Sequence, residues 1–552
     1  MDLFKRRKPW DVEADVVVIG SGAAGLTAAL AAYEGGAKVV VIEKAPTVGG
    51  ASAVSGGVVW VPNNHHMSEV GIPDSRAEAI AYVTRLADGR SDDRLIATFL
   101  DTAPAMLRFV ESSTALAFKP LARYPDYHPE LEGGKAGGRS LDPGLFDSNE
   151  LGPWKKKLRR SPIFGMTAMT VTEATEWGVF SKPLQLPFKL LGERLSKGFV
   201  CYGGALVGRM LKALLDREIQ PMLETAAREL LVEEGRVSGV RVTQGERDLR
   251  IRARKGVVLA SGGFEWDAKL AAQFLGGQLT HPSSPPCNEG DGLRLAMALG
   301  ADLANMNEAW WCPSVVIPGE EYDGKPLYRG DFATRSMPHS LIVNRRGARF
   351  VNEAQNYNDL MKPFFTFDPA AYERPNLPAW LILDQQYLTR YALLTFMPGQ
   401  TAPEWLPRAG SLAELAGLVG IDPHGLESTV ARFNRFAVEG RDPDFHRGES
   451  VYDRFYGDPD HSPNPNLGTV EKGPFYALQV HAGAIGTKGG TRVTPDAQVL
   501  RVDGEPIAGL YAAGNVMAGV TGPGYPGAGA TIGAGMTFGF IAGTHAARQR
   551  SV

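Results

Sequence analysis

Three cysteines, Cys201, Cys287 and Cys312, are all that 552 residues contain. They are too few and too scattered for a disulfide framework or a thiolate metal site, and a reducing cytoplasm is the expected setting. An excess of charge is missing too. Against 61 Asp and Glu stand 58 Lys and Arg, a formal net charge of -3, which excludes a strong electrostatic appetite for nucleic acid or anionic lipid. The one basic cluster, Lys155 to Arg160, reads as a solvated loop. Ten histidines show no H-E-x-x-H or comparable spacing, so no metal is expected. The opening segment places Lys5 to Lys8 ahead of acids and not of an apolar run, unlike a signal peptide. Two long uncharged stretches, 16–33 and 511–544, are broken by glycines, the second also by Pro523 and Pro526, so neither is expected to span a membrane.

What is abundant is glycine, 65 residues against an average of about 7% of a chain. Such an excess points to backbone lying against something. Asp15 to Ile19 is an apolar run of the kind buried in a parallel sheet, and Gly20-Ser21-Gly22-Ala23-Ala24-Gly25 follows, opening an alanine-rich helix that runs to about Gly35. Lys38 to Ile42 is the next strand and ends at Glu43. In this βαβ unit Gly20 permits a tight turn, Gly22 lets a pyrophosphate approach the backbone and Gly25 lets helix and strand pack closely. Glu43 stands where a carboxylate accepts from both ribose hydroxyls. The unit by itself leaves NAD and FAD both open. Other glycine-bearing strand ends, at Gly49-Gly50-Ala51-Ser52, Gly262-Gly263 and Gly514-Asn515, can meet around one long cofactor.

Over nearly its whole length the chain resembles the FAD-dependent fumarate reductase and 3-ketosteroid dehydrogenase superfamily, through VVVIGSGAAGLTAALAA, VIEKAPTVGGASAVSGG, GVVLASGGF, GDGLRLAMALGA, LIVNRRGARFVNE and GLYAAGNV. The resemblance implies an α/β fold in which a Rossmann-like FAD-binding domain, 1–308 and 478–552, is interrupted by an α+β catalytic or capping domain, 309–477. It also implies that Lys44, Ser55, Gly56, Gly57, Ala226, Thr531 and Ile532 join the residues above in holding FAD. A C-terminal helix starting near Ala530 would carry Gly535, Gly539 and Gly543 as one smooth stripe, its N-terminus directed at the flavin.

Fumarate reductases carry a proton-donating arginine four residues after the glutamate of G-x-R-F-x-N-E. Here the motif runs from Gly347 to Glu353 and that position is Tyr357. This is similar to 3-ketosteroid Δ1-dehydrogenases, whose Y-x-D-Y-x-P-E segment is matched by Tyr124 to Glu130 and whose Y-P-G-x-G is matched by Tyr525 to Gly529. The resemblance implies that Tyr525 and the Gly529 N–H grip a ketone oxygen, that Tyr357 removes a proton from the adjacent carbon, and that Tyr127 assists, with Tyr124 as a competing choice. The expected reaction is 1,2-dehydrogenation of a 3-ketosteroid. A Δ4-(5α) dehydrogenase and a fumarate-reductase-like enzyme acting on another enone or unsaturated acid are the alternatives.

A steroid needs an apolar pocket, for which Phe118, Trp310, Phe350 and Phe538 are candidate walls. The segment 180–215 mixes apolar and basic residues and reads as a mobile cover or core helices, with a place on a membrane surface as the alternative. The expected partners are a 3-ketosteroid and a quinone or other electron acceptor. Membrane contact is at most peripheral, at the inner surface. His65, His66 and His481 are expected to be surface or flavin-domain residues.

Overall fold

A computed structural model of the protein describes residues 10–551, so the basic opening Lys5 to Lys8 lies outside the described residues. The first apolar run is the strand Val12–Ile19, and β-branched residues buried on both faces place it inside a parallel sheet. It pairs in parallel with Val39–Ile42 on one side and Arg247–Leu259 on the other. Pro506–Ala512 continues the parallel order and Gln498–Leu500 closes it antiparallel. The first half of Arg247–Leu259 also pairs with a meander of Thr225–Glu233 and Arg236–Gln244. One strand thereby joins an antiparallel ribbon to the parallel sheet.

Between the first two strands runs the helix Ala23–Glu34, begun at Gly22. Gly25 has no room for a side chain, since a Cβ there would stand 2.1 Å from the Gly20 carbonyl oxygen. The C-terminal helix Ala530–Arg548 packs along this first helix on the expected glycine stripe. A Cβ at Gly539 would lie 2.3 Å from the Ala24 oxygen and one at Gly543 would lie 2.2 Å from the Ala28 oxygen, so the two backbones touch.

The main path of the second sheet is antiparallel, in the order Lys325–Gly330, Ala309–Tyr322, Phe475–Thr487, Ala379–Asp384, Ser340–Asn344, and the short His281–Pro282 pairs in parallel with Phe475–Thr487. Its first long strand starts at Ala309, where the second domain was expected to begin. The expected boundary at 478, however, falls inside Phe475–Thr487, the central strand, which pairs on both sides. The chain returns to the first sheet only after this strand has completed the second.

The segment 180–215 is not one element. Tyr202–Asp216 is a core helix with ten buried residues, whereas 180–196 is largely exposed, with Phe180, Leu184 and Phe188 at 44%, 61% and 54% exposure, although Pro183 and Leu191 are buried. The basic cluster divides as well: Arg159 is buried against Tyr322 and Asp323. Among the described residues no helix is long and apolar enough to cross a membrane.

Candidate active site

A cavity of about 680 Å³ runs between the two sheets. One end is built by the first βαβ unit. Gly20, Ser21, Gly22, Ala23 and Ala24 line it, with Glu43, Lys44, Gly50, Ala51, Ser52, Ser55, Gly56 and Gly57. The first helix presents its N-terminus here with no acid in its first turn, a site suited to a phosphate. The buried Glu43 accepts from Ser21 N and Oγ through one oxygen and from Ala45 N through the other. A carboxylate has about four acceptor positions, so capacity remains for a hydroxyl. Farther along, the wall consists of Gly262, Gly514, Asn515, Thr531 and Ile532.

Four residues named from the sequence lie off this wall. Gly25 packs against Gly20 and Gly49 against Ala53 and Val207, both too tightly for a side chain. At Gly263 a Cβ would strike Thr487 and Glu265. Ala226 is flanked on the wall by Thr225 and Ala227, because alternate strand residues face opposite ways.

At the other end three chain segments distant in sequence bring Tyr127, Tyr357, Tyr525 and Gly529 onto the wall together. Tyr127 donates to the Tyr357 hydroxyl at 2.8 Å, and the ring centroids of Tyr127 and Tyr357 lie 4.9 and 5.6 Å from that of Tyr525. Tyr124 also reaches the cavity, but its hydroxyl bonds to that of Tyr456 and not to Tyr357. Gly529 is the residue before the C-terminal helix, at φ +91°, and a Cβ there would stand 2.3 Å from the Val58 oxygen. Glycine is therefore required by both conformation and space, and the N–H at this position has no partner within the helix.

Tyr525 is aimed by neighbours that sequence reasoning did not assign to it. Thr531 Oγ1 donates to its hydroxyl oxygen at 3.1 Å, which leaves the phenolic hydrogen to point elsewhere. Its ring rests on Trp310 at 4.6 Å. Beneath the loop, the buried Lys488 donates to the Pro523 and Gly524 oxygens, both at 2.8 Å, and lies 4.4 Å from the centre of the Trp310 ring. Nothing local in the sequence around Lys488 told of this contact across 35 residues.

The motif from Gly347 to Glu353 supplies the anchor for Tyr357. The buried Glu353 pairs with Arg349 and Arg447, and Arg349 also with Asp442. These cations hold the Glu353 carboxyl down at about 2, although burial opposes them. Asp126, between Tyr124 and Tyr127, is likewise structural. It accepts from Trp60 Nε1 and Arg139, while burial lifts it to about 6. Burial also pushes Tyr127 and Tyr357 well above the usual phenol range; the hydrogen bond from Tyr127 acts in the other direction on Tyr357.

The aromatic walls differ from those expected. Phe118 and Phe538 are core residues, Phe350 packs on Phe364, and Trp310 is spent on Tyr525. Phe164, Phe332, Leu186, Phe188, Met397 and Phe455 line the cavity instead. Nothing in their local sequence separates a wall residue from a core residue. His481 stacks on His281. His65, His66 and Glu111 converge through ion pairs of 2.9 and 2.8 Å, an arrangement of metal-ligating types that no local spacing announced.

The sequence pattern of the FAD binding domain family matches residues 15–532. The chain is 43% identical to 4-oxocyclohexanecarboxylate 2-dehydrogenase of Sinomonas cyclohexanicum, covering 97% of this chain and 93% of that one. It is 41% identical to 3-oxosteroid 1-dehydrogenase of Mycolicibacterium smegmatis, covering 96% of each. The crystal structure of 3-ketosteroid delta1-dehydrogenase from Sterolibacterium denitrificans in complex with 1,4-androstadiene-3,17-dione superposes with a TM-score of 0.90 at 38% identity, covering 97% and 99% of the two chains. The glycine cradle, the open helix N-terminus and the spare acceptor capacity of Glu43 fit a dinucleotide, and the cofactor is FAD. Sequence, sheet order and cavity thus agree, and this FAD-dependent dehydrogenase belongs to the FAD binding domain family, beside the 3-oxosteroid and 4-oxocyclohexanecarboxylate dehydrogenases.

Proposed function

We propose that the protein removes hydrogen from carbons 1 and 2 of a 3-ketosteroid, leaving a C1=C2 double bond. The observation that carries this reading is the meeting of Tyr127, Tyr357, Tyr525 and Gly529 on one wall. Tyr525 Oη–H and the Gly529 N–H bind the C3 oxygen. Donors aimed at an oxygen that gains charge stabilise the enolate formed when a C2 proton leaves, and this acidifies that proton. Tyr357 takes the proton, and Tyr127, donating to Tyr357, stabilises its phenolate. FAD, when bound, supplies the acceptor for the hydride from C1. The apolar side chains around the tyrosines exclude water and hold the hydrocarbon frame.

A second reading follows from the 43% identity to an enzyme named for a small ring ketone carrying a carboxylate. Both reactions place a double bond beside a ring ketone and ask the same of the tyrosines. They differ at the far end of the substrate, where a carboxylate needs a cation. Among the described lining residues the only Lys or Arg is Lys44, at the Glu43 end and paired with Glu289 and Asp291. This favours the neutral steroid. The test is anaerobic mixing with 4-androstene-3,17-dione and, separately, with 4-oxocyclohexanecarboxylate. Loss of the yellow flavin colour and appearance of the 1,4-diene with the first supports the steroid reading; reaction with the second alone replaces it.

The reoxidant is proposed to be a quinone or similar membrane carrier, reached through peripheral contact. Phe180 and Phe188 line the cavity and are themselves exposed; Leu184, Leu190 and Leu195 extend the apolar rim, with Lys189 and Lys197 exposed among them. Apolar and basic residues together suit an anionic lipid surface. Cosedimentation with anionic vesicles, lost in a Leu184→Asp/Phe188→Asp variant, checks it.

A further inference from the structure

The paired phenols depend on two segments far apart in sequence. Tyr127 lies in an irregular stretch, and Tyr357 opens a helix of only four residues, Tyr357–Leu360. Neither element is rigid enough by itself to fix a hydroxyl to a fraction of an ångström. The neighbour of each tyrosine supplies what the backbone lacks. His128 Nε2 meets Asp359 Oδ2 at 2.6 Å, and His128 Nδ1 meets Glu130 Oε1 at 3.1 Å. Asn356, which caps the short helix, donates to the same Asp359 oxygen at 3.0 Å. The histidine and aspartate side chains are each 24% exposed, so the pair is largely withdrawn from water.

We propose that His128 and Asp359 are positioning residues: their ion pair clamps the segment of Tyr127 to the helix of Tyr357 and so holds the two catalytic hydroxyls in hydrogen-bond contact. This rests on the assignment of Tyr357 as base and Tyr127 as its partner. The clamp extends to the third segment, because the Tyr82 hydroxyl accepts from His128 N at 3.1 Å and donates to the Pro526 oxygen at 2.7 Å. Tyr127 N donates to that same oxygen at 2.9 Å. The ring of His128 thus has an acceptor on each nitrogen, Glu130 from its own segment and Asp359 from the short helix, with the Asn356 amide nitrogen, itself a donor to Asp359, 3.3 Å from Nε2; its backbone N–H is taken by Tyr82 of the helix Arg76–Ala87. Lys362 bears on the Asp359 side of the pair. The two carboxylates raise His128 to about 9 against the opposing effect of burial. Both ring nitrogens are donors only in the imidazolium, so the clamp is complete below about pH 9 and loses one arm above it.

The test uses the full-length holoenzyme and His128→Gln, Asp359→Asn and His128→Lys. In the first two the rate of the reductive half-reaction falls at least about tenfold at pH 8 while KM stays within about threefold, as expected when a proton acceptor is displaced and binding is spared. The wild-type rate also bends downward above about pH 9, and His128→Gln abolishes the bend. His128→Lys, which keeps a cation, recovers part of the rate. A readout independent of substrate accompanies this: the melting temperature of wild type exceeds that of His128→Gln, by a margin that shrinks as pH rises through 9. Wild-type kinetics in His128→Gln, or a margin constant from pH 7 to 10, overturns the clamp. A failure of every ketosteroid to reduce the flavin refutes the functional reading instead, and leaves the melting comparison to decide the ion pair.

Discussion

Replacing Tyr525 by Phe isolates one hydrogen bond. The ring contacts survive, since the phenyl group keeps Trp310 at 4.6 Å, Tyr127 at 4.9 Å and Tyr357 at 5.6 Å. What disappears is the phenolic O–H, one of two donors assigned to the ketone oxygen, and the acceptor of Thr531 Oγ1. Loss of a donor to an oxygen that gains charge in the transition state costs about 10²- to 10³-fold in rate, or ~2.7–4 kcal/mol. The Thr531 hydroxyl left without its acceptor is only half-buried and lines the cavity, so its cost to folding is small and appears in the melting temperature and not in the rate. The assay is anaerobic stopped-flow loss of flavin colour with saturating 4-androstene-3,17-dione. Its companion is equilibrium binding of 1,4-androstadiene-3,17-dione, which also presents a C3 oxygen and loses less affinity than the rate loses. A variant with a rate within threefold of wild type refutes the polarised-ketone argument.

Tyr357→Phe removes the proposed base and slows the same half-reaction about 10²- to 10⁴-fold while FAD remains bound, as its absorbance after gel filtration checks. Since burial holds the Tyr357 phenol above its ordinary range, the phenolate fraction is small at neutral pH, and the wild-type rate rises with pH up to about 9, where the clamp loses one arm; a flat profile from pH 6 to 9 contradicts a tyrosine base. Gly543→Ala drives a Cβ to 2.2 Å from the Ala28 oxygen, and separating the two helices costs about 1–3 kcal/mol, against a helix-propensity gain of ~1 kcal/mol; a lower melting temperature and easier flavin loss are expected. Burial holds Lys488 down at about 7. The unfolded chain takes up this proton below about pH 10.5 and the folded protein only below about 7, so the residue lowers stability progressively as pH falls across that window and no further beneath it. Urea unfolding of Lys488→Met compared with wild type shows the corresponding loss of slope between pH 7 and 10.

The strand, glycine turn, helix and terminal acid of the dinucleotide unit were legible in the sequence because each is a local matter. Apolar runs specify strands, a glycine admits a close approach, and the spacing from Gly20 to Glu43 is set by one helix and one turn. The spacing of Gly535, Gly539 and Gly543 was legible for the same reason: helical periodicity puts them on one face. The tyrosine motifs pointed to chemistry through likeness to a family, and no arithmetic of spacing joins Tyr127 to Tyr357 across 230 residues. Only the tertiary structure decided which phenol pairs with Tyr357, Tyr127 and not Tyr124, because the latter turns to Tyr456. It also decided that Phe164 and Phe332, not Phe118 and Phe538, face the cavity, since an aromatic residue carries the same local signal in a core as on a wall. The sequence alone determined where a nucleotide can lie against bare backbone. The folded chain determined where the hydroxyls of Tyr127, Tyr357 and Tyr525 stand, because their positions depend on contacts between segments that the order of residues does not bring together.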